Sequence, residues 1–441
     1  MNKYIVLFLI YFIGNANISK AQQVLNLSDV LTIALSNNYA IQLAKNEAEL
    51  SKNNNRIGAA GMLPNVAGTA LQDNQVINTQ QQFLNGTENN KDGAKSSQLA
   101  ANVELGWTIF DGLKMFATKS KLNELQNIGE LRMRSQIEQN FTRVIRAYYD
   151  VVLAKQQTNV NKSALTISEK RVQLAQDKYD AGKASLNEVL KAKVDLNTDK
   201  SNLMKQEIKF KNSKNNLNQL LARDVSTDFD VPDSIALNAE LKLTDLQTKV
   251  MAQNADVLAA KRTQQVNALA IQEINAERMP TVQLKSGYNY SKQTSEAGFL
   301  QSSQNLGFHY GAALNINLFN GFDVNKRLQN AKITLKSSEL VYKDSLAKLQ
   351  NNLQQSYNTY TLNNQLVQFE KENVSIVTQN FSITDEQYKV GTITSLELRD
   401  AQQNLLLSNN RYLSATYDAK LAEIELMRIS GDLMAYINRS N

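Results

Sequence analysis

The chain of 441 residues has no cysteine, one histidine, one tryptophan and only three prolines. Without cysteine there is no disulfide framework, no thiol nucleophile and no lipid anchor on an N-terminal Cys. One histidine, His309, excludes Cys/His metal clusters and leaves little room for a Ser-His-Asp triad, so no metal, no cofactor and no catalytic residue is expected. A Gly-rich phosphate loop is missing as well. These absences argue for a duct or a structural protein rather than an enzyme, and place any energy source in a partner. Three prolines and 17 glycines are also too few for the turn-rich packing of two or three compact domains. The sequence pI is near 9.0, yet Lys and Arg alternate with Asp, Glu, Asn and Gln along helical faces instead of clustering, so nucleic acid is not an expected partner.

What is present begins with an export signal. Lys3 precedes ten apolar or aromatic residues, Tyr4 to Ile13, and a polar stretch ends in Ser19-Lys-Ala21. That is the plan of a secretory signal peptide over residues 1–21, its apolar run too short to span a bilayer. Its removal takes Lys3 and Lys20 away and lowers the formal charge from +6 to +4.

The remaining chain is duplicated. Tyr179-Asp-Ala-Gly182 recurs 209 positions later as Tyr388-Lys-Val-Gly391, and the same offset superposes Phe110-Asp-Gly112 on Phe319-Asn-Gly321, Tyr148 on Tyr357 and Glu188 on Glu397. Upstream, Leu63-Pro64 matches Met279-Pro280 at an offset of 216. Each Tyr-x-x-Gly ends a long helical pattern at a residue suited to a left-handed C-cap, and Ser185 or Thr394 three residues on can cap the next helix. The chain therefore reverses direction at both places.

Helical periodicity covers residues 28–62, with Ser28 as its cap, and 187–222, 245–278 and 396–430. Two further stretches, Leu113 to Asp177 and Phe322 to Glu386, run 65 residues without proline. Ile137, Phe141, Val144, Tyr148 and Val151, and in the second copy Leu346, Leu349, Leu353, Tyr357 and Tyr360, follow coiled-coil spacing. As single helices these would reach ~98 Å. Between them the period changes to two. Strands are expected weakly at 65–76, clearly from Leu99 to Ile109, from Thr281 to Tyr290, and from Leu306 to Leu318, each with one apolar and one polar face. A long exposed loop containing Asn85-Gly86 and Asp92-Gly93 should join the first two. His309 falls on a polar face.

Four amphipathic strands in an exported chain match membrane β-barrel strands, but four cannot close and open edges in lipid are costly. A ring of identical subunits solves this, with eight strands for a dimer and twelve for a trimer. The sequence leaves that number open. It also leaves a second class open, a secreted periplasmic coiled-coil structural or interaction protein with a soluble β cap.

Signal peptide, duplicated halves, Leu/Met-Pro before a strand, Phe-Asp/Asn-Gly after one, and the Tyr-x-x-Gly break together resemble the TolC family of outer-membrane efflux proteins across essentially the whole mature chain. The resemblance implies a mainly α fold with transmembrane β: tandem-duplicated long α-helical hairpins plus four strands per chain contributing to a shared trimeric twelve-stranded barrel. It implies an outer-membrane channel-tunnel extending into the periplasm, a passive duct for efflux or type I secretion of small molecules or proteins. The implied partners are two further copies in a homotrimer, outer-membrane lipid, a periplasmic adaptor, and an inner-membrane pump of RND, ABC or MFS type. The corresponding domains are the signal peptide 1–21, a first repeat 22–223 (helix, two strands, long helix, tip turn, helix), an equatorial connector 224–244, a second repeat 245–430 and a tail 431–441.

The family's motifs also carry residue roles to matching positions. Tyr179, Gly182, Tyr388 and Gly391 would form the tip turns where adaptor hairpins dock, and Pro64, Phe110, Gly112, Pro280, Phe319 and Gly321 the helix–strand transitions. Glu397 and Asp400, one turn apart, would project inward as the periplasmic gate with Glu188, while Lys191 stands where the first copy would need an acid to match Asp400. Carboxylates from three chains would repel and raise some of their pKa values, and Lys191 would latch a neighbouring acid. Ile393 departs from the basic residue that family members often carry there.

Overall fold

The computed structural model describes residues 24–237, 241–298 and 300–435. The expected signal peptide, residues 1–21, and the last six residues of the expected tail lie outside them. The elements in order are α1 (Leu27–Asn37), α2 (Tyr39–Asn54), β1 (Asn65–Gln82), β2 (Glu88–Phe110), α3 (Lys114–Asp180), α4 (Leu186–Leu220), α5 (Leu243–Gln253), α6 (Ala255–Ala276), β3 (Thr281–Ser295), β4 (Ser302–Asn315), α7 (Asp323–Val390) and α8 (Ser395–Ser430). At 67 and 68 residues, α3 and α7 are the two uninterrupted long helices that the pattern predicts.

Two expected helices are instead broken. The stretch 28–62 begins one residue early, capped at Asn26 rather than Ser28, whose own carbonyl lies inside α1 and accepts from the Thr32 hydroxyl. It then breaks at Asn38, and 245–278 breaks at Asn254; both asparagines are buried and extended, at φ −61° and ψ 122°, and φ −64° and ψ 118°. The cause lies across the fold. Asn38 Nδ2 donates to the Leu220 carbonyl at the end of α4 (2.7 Å), and Asn254 Nδ2 donates to the Ile429 carbonyl near the end of α8 (3.0 Å). Each side chain satisfies a terminal carbonyl that its own helix could not. These asparagines lie 216 positions apart, the offset of the Leu/Met-Pro pair.

Contacts divide the described residues into two compact units, each drawing segments from both repeats. The first comprises residues up to 45, 133–255 and from 347 onward. Its core joins Phe141, Val144, Tyr148 and Val151 of α3 to Leu353 and Tyr360 of α7, Ile424 and Leu426 of α8, and Phe229 and Val231 of the connector. The connector is held there by polar bonds: Leu25 N–H donates to the Asp230 carbonyl (2.8 Å), and Lys155 Nζ contacts Asp230 (2.7 Å) and Asp233 (2.9 Å). After α8, Gly431 takes φ +71° in a close approach, since a Cβ would meet the Gln253 backbone at 2.8 Å.

The second unit comprises residues 46–132 and 256–346 and contains the sheet, antiparallel in the order β1-β2-β3-β4. Register aligns Val66 with Leu105, Leu105 with Ser286 and Ser286 with Tyr310, so one face gathers Val66, Val103, Leu105, Tyr288, Phe308 and Tyr310 while the other carries Asn102, Glu104, Lys285 and His309. Here the expected long loop is corrected. Residues 79–82 pair with 88–91, extending the first hairpin, and only Phe83–Thr87 turns. The Asn85-Gly86 signal does mark that turn (Gly86 φ +79°), whereas Asp92-Gly93 forms an irregularity in which Gly93 N–H donates to Asn78 Oδ1 (2.7 Å). At the other end β4 stops at Asn315, so Ile316 and Leu318 fall beyond the expected strand. Glu277 anchors the helical side of this unit between Lys114 and Arg327.

Candidate functional site

The two helical breaks have one backbone plan. Gly182 has φ +71° and Gly391 φ +84°. In the first, Gly182 N–H donates to the Tyr179 carbonyl and Lys183 N–H to the Lys178 carbonyl; in the second, Gly391 donates to Tyr388 and Thr392 to Gln387. Both are Schellman caps, which satisfy the last carbonyls of α3 and α7 and need a residue tolerant of positive φ. Ser185 then accepts from Glu188 N–H to start α4, and Thr394 from Glu397 N–H to start α8. Glycine and hydroxyl perform the roles their spacing predicts.

The side chains differ between copies. Tyr388 is fully buried at 1 % exposure, while its counterpart Tyr179 is exposed at 40 %. The Tyr388 hydroxyl donates to Glu188 Oε1 at 2.7 Å, and Lys178 Nζ lies 3.8 Å from the ring centre while also donating to the Tyr388 carbonyl. Burial first, and the Glu188 carboxylate second, push the phenol up to about 12, so this hydroxyl remains a donor at physiological pH. Glu188 is thus engaged by the second repeat.

Glu397 is engaged locally. Its Oε2 accepts from Thr394 N–H (2.7 Å) and from the Thr394 hydroxyl (2.9 Å), completing a capping box. These bonds hold its carboxyl below the ordinary range, a direction opposite to that expected from like charges gathered by three chains. Asp400 is exposed one turn on. A groove of about 950 Å³ between the starts of α4 and α8 brings together Glu188, Lys191, Tyr388, Gly391 and Asp400. Glu397, Tyr179 and Gly182 do not line it.

Behind the groove lies a buried ionic cluster that sequence reasoning missed. Arg399 Nη1 and Nη2 clasp Asp199 at 2.7 and 3.1 Å, Ser168 donates to the same carboxylate, and Gln402 Nε2 donates to Ser168 Oγ (2.7 Å). Arg171, also buried, pairs with Asp195. The cluster joins α3 and α4 of the first repeat to α8 of the second. At the duplicate positions stand Leu190 for Arg399 and Ser408 for Asp199, so repeat symmetry could not have revealed it. The available signal was a charge, Arg399, at a helix position next to buried Leu398.

At the helix–strand transitions, Pro64 and Pro280 immediately precede β1 and β3, and Phe110 is the last residue of β2. Gly112 and Leu113 both have positive φ (+71° and +69°), as do Gly321 and Phe322 (+63° each). Gly112 is the crowded one: a Cβ would lie 2.4 Å from the Ala276 carbonyl, whereas Gly321 faces open space. Phe319 lies past β4 and packs edge-on against Phe322, 5.5 Å between centres.

Long helices with paired reversals, an amphipathic four-stranded sheet and a polar cluster tying the repeats define a duplicated channel-type protomer. The outer membrane efflux protein family model matches residues 30–223 and 246–432, nearly all of the described chain. The protein belongs to that family and is an outer-membrane channel for efflux or secretion. It is 21% identical over 422 residues to the alkaline protease secretion protein AprF of Pseudomonas aeruginosa, covering 93% of this chain and 85% of the relative. It is 20% identical over 356 residues to the outer membrane protein TolC of Escherichia coli, covering 77% and 71%. The fold is similar to the Campylobacter jejuni CmeC outer membrane channel, with a TM-score of 0.77, 14% identity, and coverage of 92% of this chain and 86% of that one.

Proposed function

We propose that three copies close one twelve-stranded barrel and a helical duct, forming a passive export channel that works with a periplasmic adaptor and an inner-membrane pump. The observation that carries this is the sheet itself: β1 and β4 each pair on one side only, so both edges are open. An open edge in lipid costs several kcal/mol per unpaired group, and pairing β4 of one copy with β1 of the next removes every edge. The apolar face supports the same reading over a soluble cap, because Leu306, Phe308, Tyr310 and Leu314 are all more than 60 % exposed instead of packed on helices.

Two exposed seams in the helical unit add to it. Leu186, Leu190, Val194, Met204 and Ile208 run along α4, and Leu362, Phe369, Ile376, Ile383 and Val390 recur every seven residues along α7. Two different seams that meet between copies make a heterologous contact, the kind that closes into a ring. Native mass spectrometry in detergent should give a trimer that migrates anomalously until heated and fractionates with outer membranes. A folded monomer in the periplasmic extract would sink the reading.

The groove at the tip is where we place the gate and adaptor docking. Exposed Asp400 supplies the charge facing the opening, Lys191 is positioned to latch an acid of a neighbouring copy, and Glu188–Tyr388 holds the two hairpins together. Glu397→Ala combined with Asp400→Ala should weaken block of single-channel conductance by multivalent cations, and Lys191→Ala should raise basal conductance. Wild-type cation block in the double variant would remove the carboxylates from the gate.

A further inference from the structure

The polar face of the sheet carries a checkerboard of long and absent side chains. Register places Ala67, Glu104, Gly287 and His309 in one row across the four strands, and Asn65, Gly106, Lys285 and Gly311 in the next. Gly287 is buried although it sits on an exposed sheet. The reason is the His309 ring, which lies over it: a Cβ on Gly287 would meet His309 Cε1 at 2.6 Å and the Val103 carbonyl at 2.9 Å. The imidazole is therefore directed from β4 across β3 toward β2, where Glu104 is the partner of Gly287. Lys285 precedes Gly287 on the same face with glycines on both sides, diagonal to Glu104 and to His309, at the 7–8 Å spacing that long side chains bridge.

We propose that Glu104, Lys285 and His309, gathered around Gly287, form a charged belt on the lumen wall that sets the ion preference of the barrel and makes it depend on pH. The proposal rests on the shared-barrel reading. The groups facing the imidazole are Lys285 from β3 and Glu104 from β2, while β1 contributes Ala67 and Thr69 at this height and no charge. Asp73 lies further along the face, opposite Gln98. With the imidazole neutral, one carboxylate and one ammonium per chain cancel. Protonation leaves one positive charge per chain, repeated around the ring, and imidazole is the side chain that changes charge between about pH 5 and 8. The belt acts across water, so its reach is the Debye length, about 10 Å at 0.1 M salt and about 30 Å at 0.01 M. Its effect belongs to low salt.

The test uses the full chain inserted from one side into planar bilayers under a dilute potassium chloride gradient. Only the compartment facing the Phe83–Thr87 loop end is acidified, from about pH 8 to 5.5. The potassium-to-chloride permeability ratio should fall about twofold or more, and the fall should vanish at high salt. His309→Gln should abolish the response, and Glu104→Gln should shift preference toward chloride at both pH values. A full pH response in His309→Gln, or none in the unsubstituted conducting channel, overturns the belt while leaving the barrel intact. If the protein forms no channel and remains a monomer in detergent, the barrel reading fails and the belt with it.

Discussion

The two helical breaks are the same piece of backbone placed in different company. Each ends in a Schellman cap and restarts at a hydroxyl, but only the second buries its tyrosine, and only the second contributes an arginine to an aspartate of the other repeat. Duplication copies short-range instructions to both sites. The hairpins nevertheless meet face to face, and a face that pairs with a copy of itself need not be complementary. Leu190 at the duplicate position of Arg399, and Ser408 at that of Asp199, show that only one copy carries the arginine and only the other the aspartate.

The strongest way to break this comparison is to substitute the two members of one duplicate pair. Asp199→Ala leaves the Arg399 guanidinium buried without its counter-charge and should cost about 3–5 kcal/mol, whereas Ser408→Ala removes a buried hydroxyl that has no hydrogen-bond partner and should be near neutral. Urea unfolding midpoints of the detergent-solubilised channel distinguish them. Equal shifts would mean the cluster does not hold the repeats together.

Next in size is the tyrosine pair. Tyr388→Phe deletes a hydrogen bond to a carboxylate, worth about 1.5–3 kcal/mol, and should loosen the tip so that basal conductance rises about tenfold or more. Tyr179→Phe, at the exposed counterpart, should conduct like the unsubstituted channel. A conductance increase of the same size in both would detach the effect from Glu188.

The glycines test what the copies share. Gly182→Val and Gly391→Val each force a β-branched residue into positive φ and should cost about 1–2 kcal/mol apiece. Both should abolish export in a drug-resistance assay while the oligomer still assembles. Unaltered resistance in either variant would count against docking at that turn.

The smallest effect separates the two helix starts by pH. Because the Glu397 carboxyl is held below its unfolded value of about 4.3 by Thr394, the stabilisation is present above that value and is lost as pH falls through the folded one. Hydrogen exchange of the first turn of α8, corrected for intrinsic rates, should therefore accelerate only as pH falls below the ordinary carboxylate range. Glu397→Gln should flatten that response. The first turn of α4, where Glu188 bonds Tyr388 rather than its own cap, should lack a clasp of this kind.

Legibility followed the range of the interaction. The four strands, the two reversals, both long helices and the faces of the sheet could all be read from patterns of two, three or four residues. The breaks at Asn38 and Asn254 escaped because an asparagine inside a helical pattern is locally unremarkable; its reason is a carbonyl 182 or 175 positions away. The extension of the first hairpin escaped because its Asn- and Gln-rich residues carry no alternation, although the ladder needs only backbone groups. Burial of Tyr388 was likewise invisible, since Tyr179 and Tyr388 occupy the same place in the same Tyr-x-x-Gly motif.

The sequence by itself determined the duplication, the two helical reversals, the two long helices and the presence of four strands, because caps, periodicity and alternation are written within one or two turns of backbone. The tertiary structure alone decided which copy holds the tyrosine latch, that Arg399 closes on Asp199, and that His309 lies over Gly287. Those depend on which residues about 200 or about 20 positions apart arrive at the same place, and burial then makes an unmatched charge or a crowded Cβ too costly for any other arrangement.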